Sequence, residues 1–209
     1  MRLPVLFCSI LALSQAAPLV SQQPQVVDRV GSAVILKYSG GPVAFMQGLR
    51  VVSRQSSLQL EWYVVIDSSL GIVLDGPVGA AAWYDNPWHR YSVDAHILAL
   101  DSIAAFEVRV MTFSVWRDFT GTLTFTQLED LRPGQRKNFN GLVYGLYGES
   151  QLRAHTTSIA YIARVRHSNG RTVMASTDAV LRIARQLQAA ITEQDLSPKP
   201  EPIPQLQRS

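Results

Sequence analysis

The sequence is poor in the residues that crosslink or ligate a small fold. Its 209 residues include one cysteine, Cys8, which excludes an internal disulfide and a structural zinc site of the cysteine type. Charged residues make up 17% of the chain, below the usual quarter or so, which favours a β-rich protein over a helical bundle. Because 47% of the residues are hydrophobic, we expect a folded domain whose core needs no metal.

The motifs of common active sites are also missing. The sequence contains no Gly-x-Ser-x-Gly nucleophile elbow and no His-Glu-x-x-His metal motif. Its glycine pairs, Gly40 with Gly41 and Gly145 with Gly148, precede no helical pattern and are typical of turns rather than of phosphate-binding loops. We therefore predict no catalytic residue, no metal and no cofactor. Scattered carboxylates leave a hydrolytic role open.

The first residues have the pattern of an export signal. A short basic start precedes an apolar run from Leu3 to Leu13, whereas a membrane-spanning helix needs roughly 20 apolar residues. Small residues follow, and the pattern predicts a signal peptide over 1–16 that is cleaved after Ala16. Cleavage would remove Cys8, and no second apolar run reaches membrane length. We therefore expect a periplasmic or secreted product without a transmembrane helix.

After this segment the sequence has the pattern of short strands separated by turns. Residues 17–30 are polar and hold two prolines, so we predict a linker there, followed by a β-sandwich domain over 31–195. Residues 67–74 are interpreted as a hairpin, and Asn169-Gly170 supplies the turn of another. The predicted strands cover residues 33–38, 58–66, 71–74, 91–100, 106–116, 122–128, 137–140, 158–166 and 171–175.

Two of these strands have informative side-chain patterns. The parity of the apolar residues changes inside 106–116, which predicts a β-bulge or a strand that is buried on both faces. In the strand 158–166, Arg164 and Arg166 are predicted to point away from an apolar face. That face comprises Ile159, Tyr161, Ala163 and Val165.

The chain is predicted to end in one helix and an extended tail. Apolar residues at helical spacing predict a helix over 178–192 that packs on the edge of the sandwich. Prolines at every second position predict a disordered tail over 196–209. The predicted fold class is therefore mainly β: an antiparallel β-sandwich, immunoglobulin-like, with one C-terminal α-helix.

The stretch 106–139 supports this fold class. A long strand, a turn and a Thr-rich strand lead to the corner Leu131-Arg132-Pro133-Gly134-Gln135, and Phe139 lies in the strand that follows. This order resembles the middle of bacterial extracytoplasmic immunoglobulin-like and fibronectin-like domains, including the FxLYD type. The resemblance implies the β-sandwich fold. It implies no functional residue, since the signature Phe-x-Leu-Tyr-Asp is not present here.

Aromatic and polar residues are concentrated between residues 83 and 91. Exposed aromatic rings can stack on sugars or bind a protein partner, and the competing interpretation is that they cover one end of the sandwich. The candidate ligand-binding residues of this predicted loop are Trp83, Tyr84, Trp88, His89 and Tyr91. A third interpretation is a metal site, although its spacing matches no known motif and we predict no metal. Its ligands would be Asp85, His89, Asp94 and His96.

Arginines are concentrated in the last third of the chain, although the formal net charge is only +3. They form either a solvated face or a binding site for an acidic polymer, an anionic glycan or a membrane surface, and export argues against nucleic acid. The candidate basic surface comprises Arg164, Arg166, Arg171, Arg182 and Arg185.

Taken together, these patterns predict an exported, non-catalytic interaction or accessory module of the cell envelope or extracellular space. Its partner would be an unknown protein or glycan and not a nucleic acid. The alternative is a carbohydrate-binding or hydrolytic protein that uses residues 83–91. A third possibility is an envelope-associated structural subunit that uses the basic surface.

Overall fold

The structure, a computed structural model, describes residues 24–39, 44–47, 50–54, 61–76, 78–85, 88–144 and 155–198. The predicted signal peptide, the first part of the predicted linker and residues 199–209 of the predicted tail lie outside these residues. The described strands are β1 (Gln25–Val30), β2 (Ala33–Ser39), β3 (Ala44–Gln47), β4 (Arg50–Arg54), β5 (Glu61–Asp67), β6 (Ile72–Leu74), β7 (Gly79–Asp85), β8 (Trp88–Ala99), β9 (Ile103–Ser114), β10 (Phe119–Leu131), β11 (Arg136–Tyr144), β12 (His155–His167) and β13 (Thr172–Met174). Helix α1 spans Asp178–Leu187, and short 3-10 helices span Ser68–Leu70 and Glu193–Leu196.

The strands form two sheets that pack face to face, which confirms the predicted β-sandwich with one C-terminal helix. Sheet A has the order β1-β2-β5-β12-β9-β10, with the short β13 beside β12. Sheet B has the order β11-β8-β7-β3-β4, with β6 beside β8. The described pairings are antiparallel except for β5 with β12 and β3 with β7, which are parallel. Each parallel pair joins strands that other elements separate in the chain, as parallel pairing requires.

The core between the sheets is built from alternate residues of the strands. Trp62 of β5, Ile97 of β8 and Phe106 of β9 are at most 3% exposed. The rings of Phe106 and Phe125 in sheet A both pack on Phe139 of sheet B, with ring centroids 6.3 and 5.8 Å apart. Aromatic rings at these separations hold the two sheets together at this point.

Strand β9 of sheet A is buried on both faces, which is one of the two arrangements that the pattern of 106–116 predicted. Along β9, Phe106 and Val108 belong to the core between the sheets, whereas Met111 and Phe113 belong to a second core on the outer face. All four side chains are at most 3% exposed. The second core also draws on β2, β5, β12 and α1. The described chain therefore has three layers: sheet B, sheet A and a C-terminal cover.

The chain passes from sheet A to sheet B at the 3-10 helix Ser68–Leu70, so the predicted hairpin over 67–74 is wrong. β5 and β6 lie in different sheets. The Asp67 carboxylate stabilises the crossing, because its Oδ1 accepts hydrogen bonds from Ser69 N at 3.1 Å, Ser69 Oγ at 2.6 Å and Ser32 Oγ at 2.9 Å. Gly71 follows with φ +77°, a conformation that favours glycine.

The first described strand replaces part of the predicted linker. Residues 25–30 form β1, because Val30 and Ala33 pair across a two-residue turn and β1 then runs antiparallel along β2. As an edge strand, β1 is largely exposed and carries two charged residues, Asp28 and Arg29. The hairpin predicted at Asn169-Gly170 is confirmed, since β12 and β13 pair antiparallel on either side of it.

The C-terminal helix is shorter than predicted and lies elsewhere. It ends at Leu187 rather than at residue 192, because the backbone becomes extended at Gln188. It packs on the outer face of sheet A and not on the edge of the sandwich, since that face is apolar and needs a cover. The predicted disordered tail begins too early, since Leu196 is 2% exposed and belongs to the second core.

A close approach in the core between the sheets limits residue 141 to glycine. A Cβ on Gly141 of β11 would lie 2.5 Å from the ring of Phe125. We expect Gly141→Ala to lower the free energy of unfolding by about 1–3 kcal/mol through overpacking, measured by urea denaturation. In a Phe125→Leu background the same substitution should cost much less, because the obstructing ring is gone. Equal costs in the two backgrounds would contradict this packing.

Candidate interaction surface

The C-terminal segment covers one part of the outer face of sheet A. Val180, Ile183 and Ala184 of α1 are at most 2% exposed and pack in the second core. After the helix the chain runs back over the sheet, and Ile191 and Leu196 enter the same core. This cover removes the apolar outer face of the sheet from water, which is the dominant favourable term in folding.

Hydrogen bonds fix the end of this cover to the sheet. The Tyr161 hydroxyl and Arg109 Nη1 both donate to the Leu196 carbonyl, at 3.1 and 2.9 Å. Thr122 Oγ1 donates to the Asp195 carbonyl at 2.6 Å. These donors come from β9, β10 and β12, so three neighbouring strands hold one short stretch of backbone.

Burial changes the acidity of Tyr161. Its side chain is 3% exposed, and this burial raises the pKa of the phenol to about 12, although the neighbouring Arg109 guanidinium opposes the rise. The phenol therefore stays protonated over the ordinary pH range and keeps its hydrogen bond to the Leu196 carbonyl.

On the side of Arg109 away from Leu196, no described residue covers the outer face of sheet A. Two rows of cross-strand neighbours from β10, β9, β12 and β13 lie there. One row is Thr126, Glu107, Arg164 and Met174, and the next is Leu128, Ala105, Arg166 and Thr172. Six of these eight residues, all except Leu128 and Met174, line a groove of about 230 Å³, which we call the basic groove. Leu128 and Met174 lie at the ends of the two rows and are 82% and 60% exposed.

A buried carboxylate anchors the basic groove. The Glu107 side chain is 3% exposed, and its two oxygens bind Arg109 Nε at 2.8 Å and Arg164 Nη2 at 2.6 Å. A carboxylate at this depth needs such partners, because removing it from water is costly when it is unpaired. The lining of the groove carries the two positive charges of Arg164 and Arg166 and the one negative charge of Glu107, which leaves it a net positive charge.

A β-bulge in β12 places the arginines on this face. Ile162 is opposite Val108, but Arg164 is opposite Glu107, so the register shifts by one residue between them. Without the extra residue, Arg164 would be aimed into the core between the sheets. The predicted pattern of this strand is therefore wrong in two respects: the two arginines lie on the apolar outer face, and Val165 has joined the core between the sheets.

The other arginines of the predicted basic surface lie outside the groove. Arg171 is exposed in the turn between β12 and β13. Arg182 of α1 pairs with Asp28 of β1 at 2.9 Å, and Arg185 Nε donates to the Ile191 carbonyl at 3.0 Å. Two of the five predicted arginines thus line one site, and two of the others stabilise the C-terminal cover.

The prediction from sequence missed the partners of these arginines. Glu107 and Arg109 interrupt the apolar run from Phe106 to Met111, and this is the pattern of a buried ion pair, since Glu and Arg are seldom buried unless paired. Leu128 and Met174 gave no signal, because an apolar residue in a strand does not reveal whether anything covers it.

The predicted aromatic loop is the end of a hairpin rather than a loop. Trp83 and Tyr84 lie in β7, whereas Trp88, His89 and Tyr91 lie in β8. The backbone register places Tyr84 opposite His89. The side chains of these residues lie outside the described part of the structure, so their binding role stays a prediction.

The outer face of sheet B carries paired polar side chains. His96 Nδ1 lies 2.7 Å from Asn138 Oδ1, and Asn140 donates to the Asp94 carboxylate. His96 and Asn138 line an open groove of about 700 Å³. Among the described residues, no three His, Cys, Asp or Glu side chains are grouped so that they could hold a metal ion.

The acidity of Tyr161 leads to a pH-dependent prediction. Between pH 10 and about 12 the unfolded chain loses the phenol proton while the folded chain keeps it, so stability falls as the pH rises through this window. Tyr161→Phe removes the phenol and therefore its contribution to the pH dependence of stability, along with one hydrogen bond worth about 1 kcal/mol. In urea denaturation, the variant should be less stable than the parent at pH 7, and the difference should narrow towards pH 12. If the free energies of unfolding of the variant and the parent chain changed in parallel with pH, this would contradict the burial of the phenol.

Comparison with known proteins adds no candidate function. No protein-family model and no curated protein sequence match the chain. The resemblance of residues 106–139 to extracytoplasmic domains therefore stays a prediction.

None of the helices in the described residues is long and apolar enough to span a bilayer.

Proposed function

We propose that this chain is an exported, non-catalytic interaction module that binds an anionic partner through the basic groove. The observation that supports this most strongly is that Leu128 and Met174, which are 82% and 60% exposed, share two cross-strand rows with Arg164 and Arg166. Exposed apolar side chains beside arginines are typical of protein interfaces, where arginine is enriched among the residues that dominate binding.

The electrostatics of the groove favour a preorganised anion-binding surface. Arg164 is held by Glu107, so its guanidinium is already placed when a partner arrives. A guanidinium carries five N–H donors, and one ion pair leaves several of them able to bind a carboxylate in the same plane. Restricting such a side chain before binding lowers the entropic cost of association.

The same geometry favours binding over catalysis. Among the described residues that line the groove, Glu107 is the one carboxylate, and both of its oxygens are bound by arginine. With both oxygens occupied by guanidinium groups, this carboxylate has no free oxygen at which to contact a reacting group. Thr126 and Thr172 add hydroxyl groups that can bind polar groups of a partner.

Export and an immunoglobulin-like relationship are part of this proposal. They are supported by the apolar run between Leu3 and Leu13 and by the order of strands and turn in residues 106–139. We expect N-terminal sequencing of the fractionated protein to find a chain that begins at Ala17 in the periplasm or medium. Recovery of intact Met1 from the cytoplasm would contradict export.

A second candidate function is carbohydrate binding on the other side of the molecule. The observation that favours it is the pairing of His96 with Asn138 and of Asp94 with Asn140 across β8 and β11. Planar polar side chains in an open groove can hydrogen-bond the hydroxyl groups of a sugar. Trp88 and Tyr91 lie farther along β8, and Trp83 and Tyr84 lie in the neighbouring strand β7.

Site-specific photo-crosslinking distinguishes the two surfaces. A photoreactive residue replaces either Met174, beside the basic groove, or Leu142, which is 39% exposed in β11 of sheet B. In cells that export the full chain, we expect a crosslinked partner from position 174 and little from position 142. Equal labelling, or labelling from position 142 alone, would contradict the proposal, and a glycan product at position 142 would favour the second function.

A further inference from the structure

We infer that the basic groove binds an extended peptide segment of a partner protein that carries carboxylates on alternate residues. This inference rests on the proposed function, because it names the chemistry of the partner for the same groove. The carrying observation is the placement of Arg164 and Arg166, two residues apart on one strand and both exposed on the face that no described residue covers.

The spacing of the two arginines matches that of an extended chain. Residues two apart in a strand are separated by about 6.6–7 Å, and their side chains lie on one face. A peptide in the same conformation presents the side chains of residues i and i+2 at the same separation. Two carboxylates with this spacing can therefore meet Arg164 and Arg166 at once, each through paired N–H donors.

The surroundings of the arginines indicate apolar neighbours for these carboxylates. Leu128 and Met174 lie at opposite corners of the two rows, about 16 Å apart when three strand spacings are combined with two residues along the strands. Both side chains are mostly exposed. A peptide that runs along β12 has Met174 on one side and Leu128 on the other, so apolar side chains beside its acidic pair can bury both, and each buried Å² of apolar surface adds about 25 cal/mol.

The same features favour a peptide over a polyanion or a membrane surface. Glu107 places a negative charge on the inner wall of the groove and satisfies part of Arg164, so the net positive charge is small. Binding to a polyanion or an anionic bilayer depends on many basic groups acting together. A groove of about 230 Å³ is suited instead to a few side chains of one extended segment.

The test compares two peptides of identical composition. Both are fluorescently labelled seven-residue peptides of Leu, Val, Ser and two Glu, and the glutamates are at positions 3 and 5 in one and at 3 and 4 in the other. Binding to the full chain is measured by fluorescence anisotropy at low salt. We expect the alternating peptide to bind at least tenfold more tightly, because only its two carboxylates reach both arginines.

Variants locate this binding on the protein. Arg166→Gln should weaken binding of the alternating peptide about tenfold or more and remove its advantage over the adjacent-glutamate peptide. Arg136→Gln is the matched control, because its side chain is 72% exposed on sheet B, and it should leave both affinities unchanged. Because residue 166 is exposed, circular dichroism should show the same melting temperature for the Arg166→Gln variant and the parent chain.

Other outcomes would overturn the inference. Equal affinities for the two peptides would exclude recognition of an alternating acidic pair. Stronger binding to vesicles with one-quarter phosphatidylserine, lost in Arg166→Gln, would identify a membrane surface as the ligand.

Two further outcomes would identify this chain itself as the occupant of the groove. A gain in peptide affinity on Glu201→Gln would identify the chain's own tail, and dimerisation that Arg166→Gln abolishes would identify a second copy. If crosslinking from Met174 succeeds while both peptides fail, the proposed function stands and this inference does not.

Discussion

Sheet A is apolar on both faces over much of its area, and the rest of the structure depends on how its outer apolar face is covered. Its strands carry apolar side chains towards sheet B and towards the opposite side, so a two-layer sandwich would leave residues such as Met111 and Phe113 in water. Helix α1 and the segment up to Leu196 supply the missing layer. Without disulfides, this third layer extends the buried apolar area of the domain.

The cover ends where the chemistry of the strands changes. Tyr161 and Arg109 donate to the Leu196 carbonyl, and Arg109 also binds the buried Glu107. Glu107 in turn holds Arg164, so one ion network has the structural cover on one side and the basic groove on the other. The candidate interaction surface is therefore the part of sheet A that the third layer leaves uncovered, and its Arg164 is fixed by the network that secures this layer.

The sequence predicted the class of the fold because strand alternation and turn residues are local signals. The two-sided burial of β9 was also visible, as a change of parity inside 106–116. The bulge before Arg164 was not, since one extra residue in a strand becomes apparent only in its register with β9. The sequence also predicted a hairpin at the crossing Ser68–Leu70. Turn residues between two strands do not show whether the second strand pairs with the first or enters the other sheet. Two arginines of the site were predicted, but the exposure of Leu128 and Met174 depends on the end of the cover, which is a tertiary property.

Native-state hydrogen exchange of the full chain tests most directly whether the C-terminal segment is an integral third layer. If it is, the slowest amide protons of α1 exchange with the same free energy of opening as those of β9 and β12, because exposing the helix exposes the outer core of the sheet. An α1 that opens at a much lower free energy, while β9 and β12 stay protected, would contradict the account.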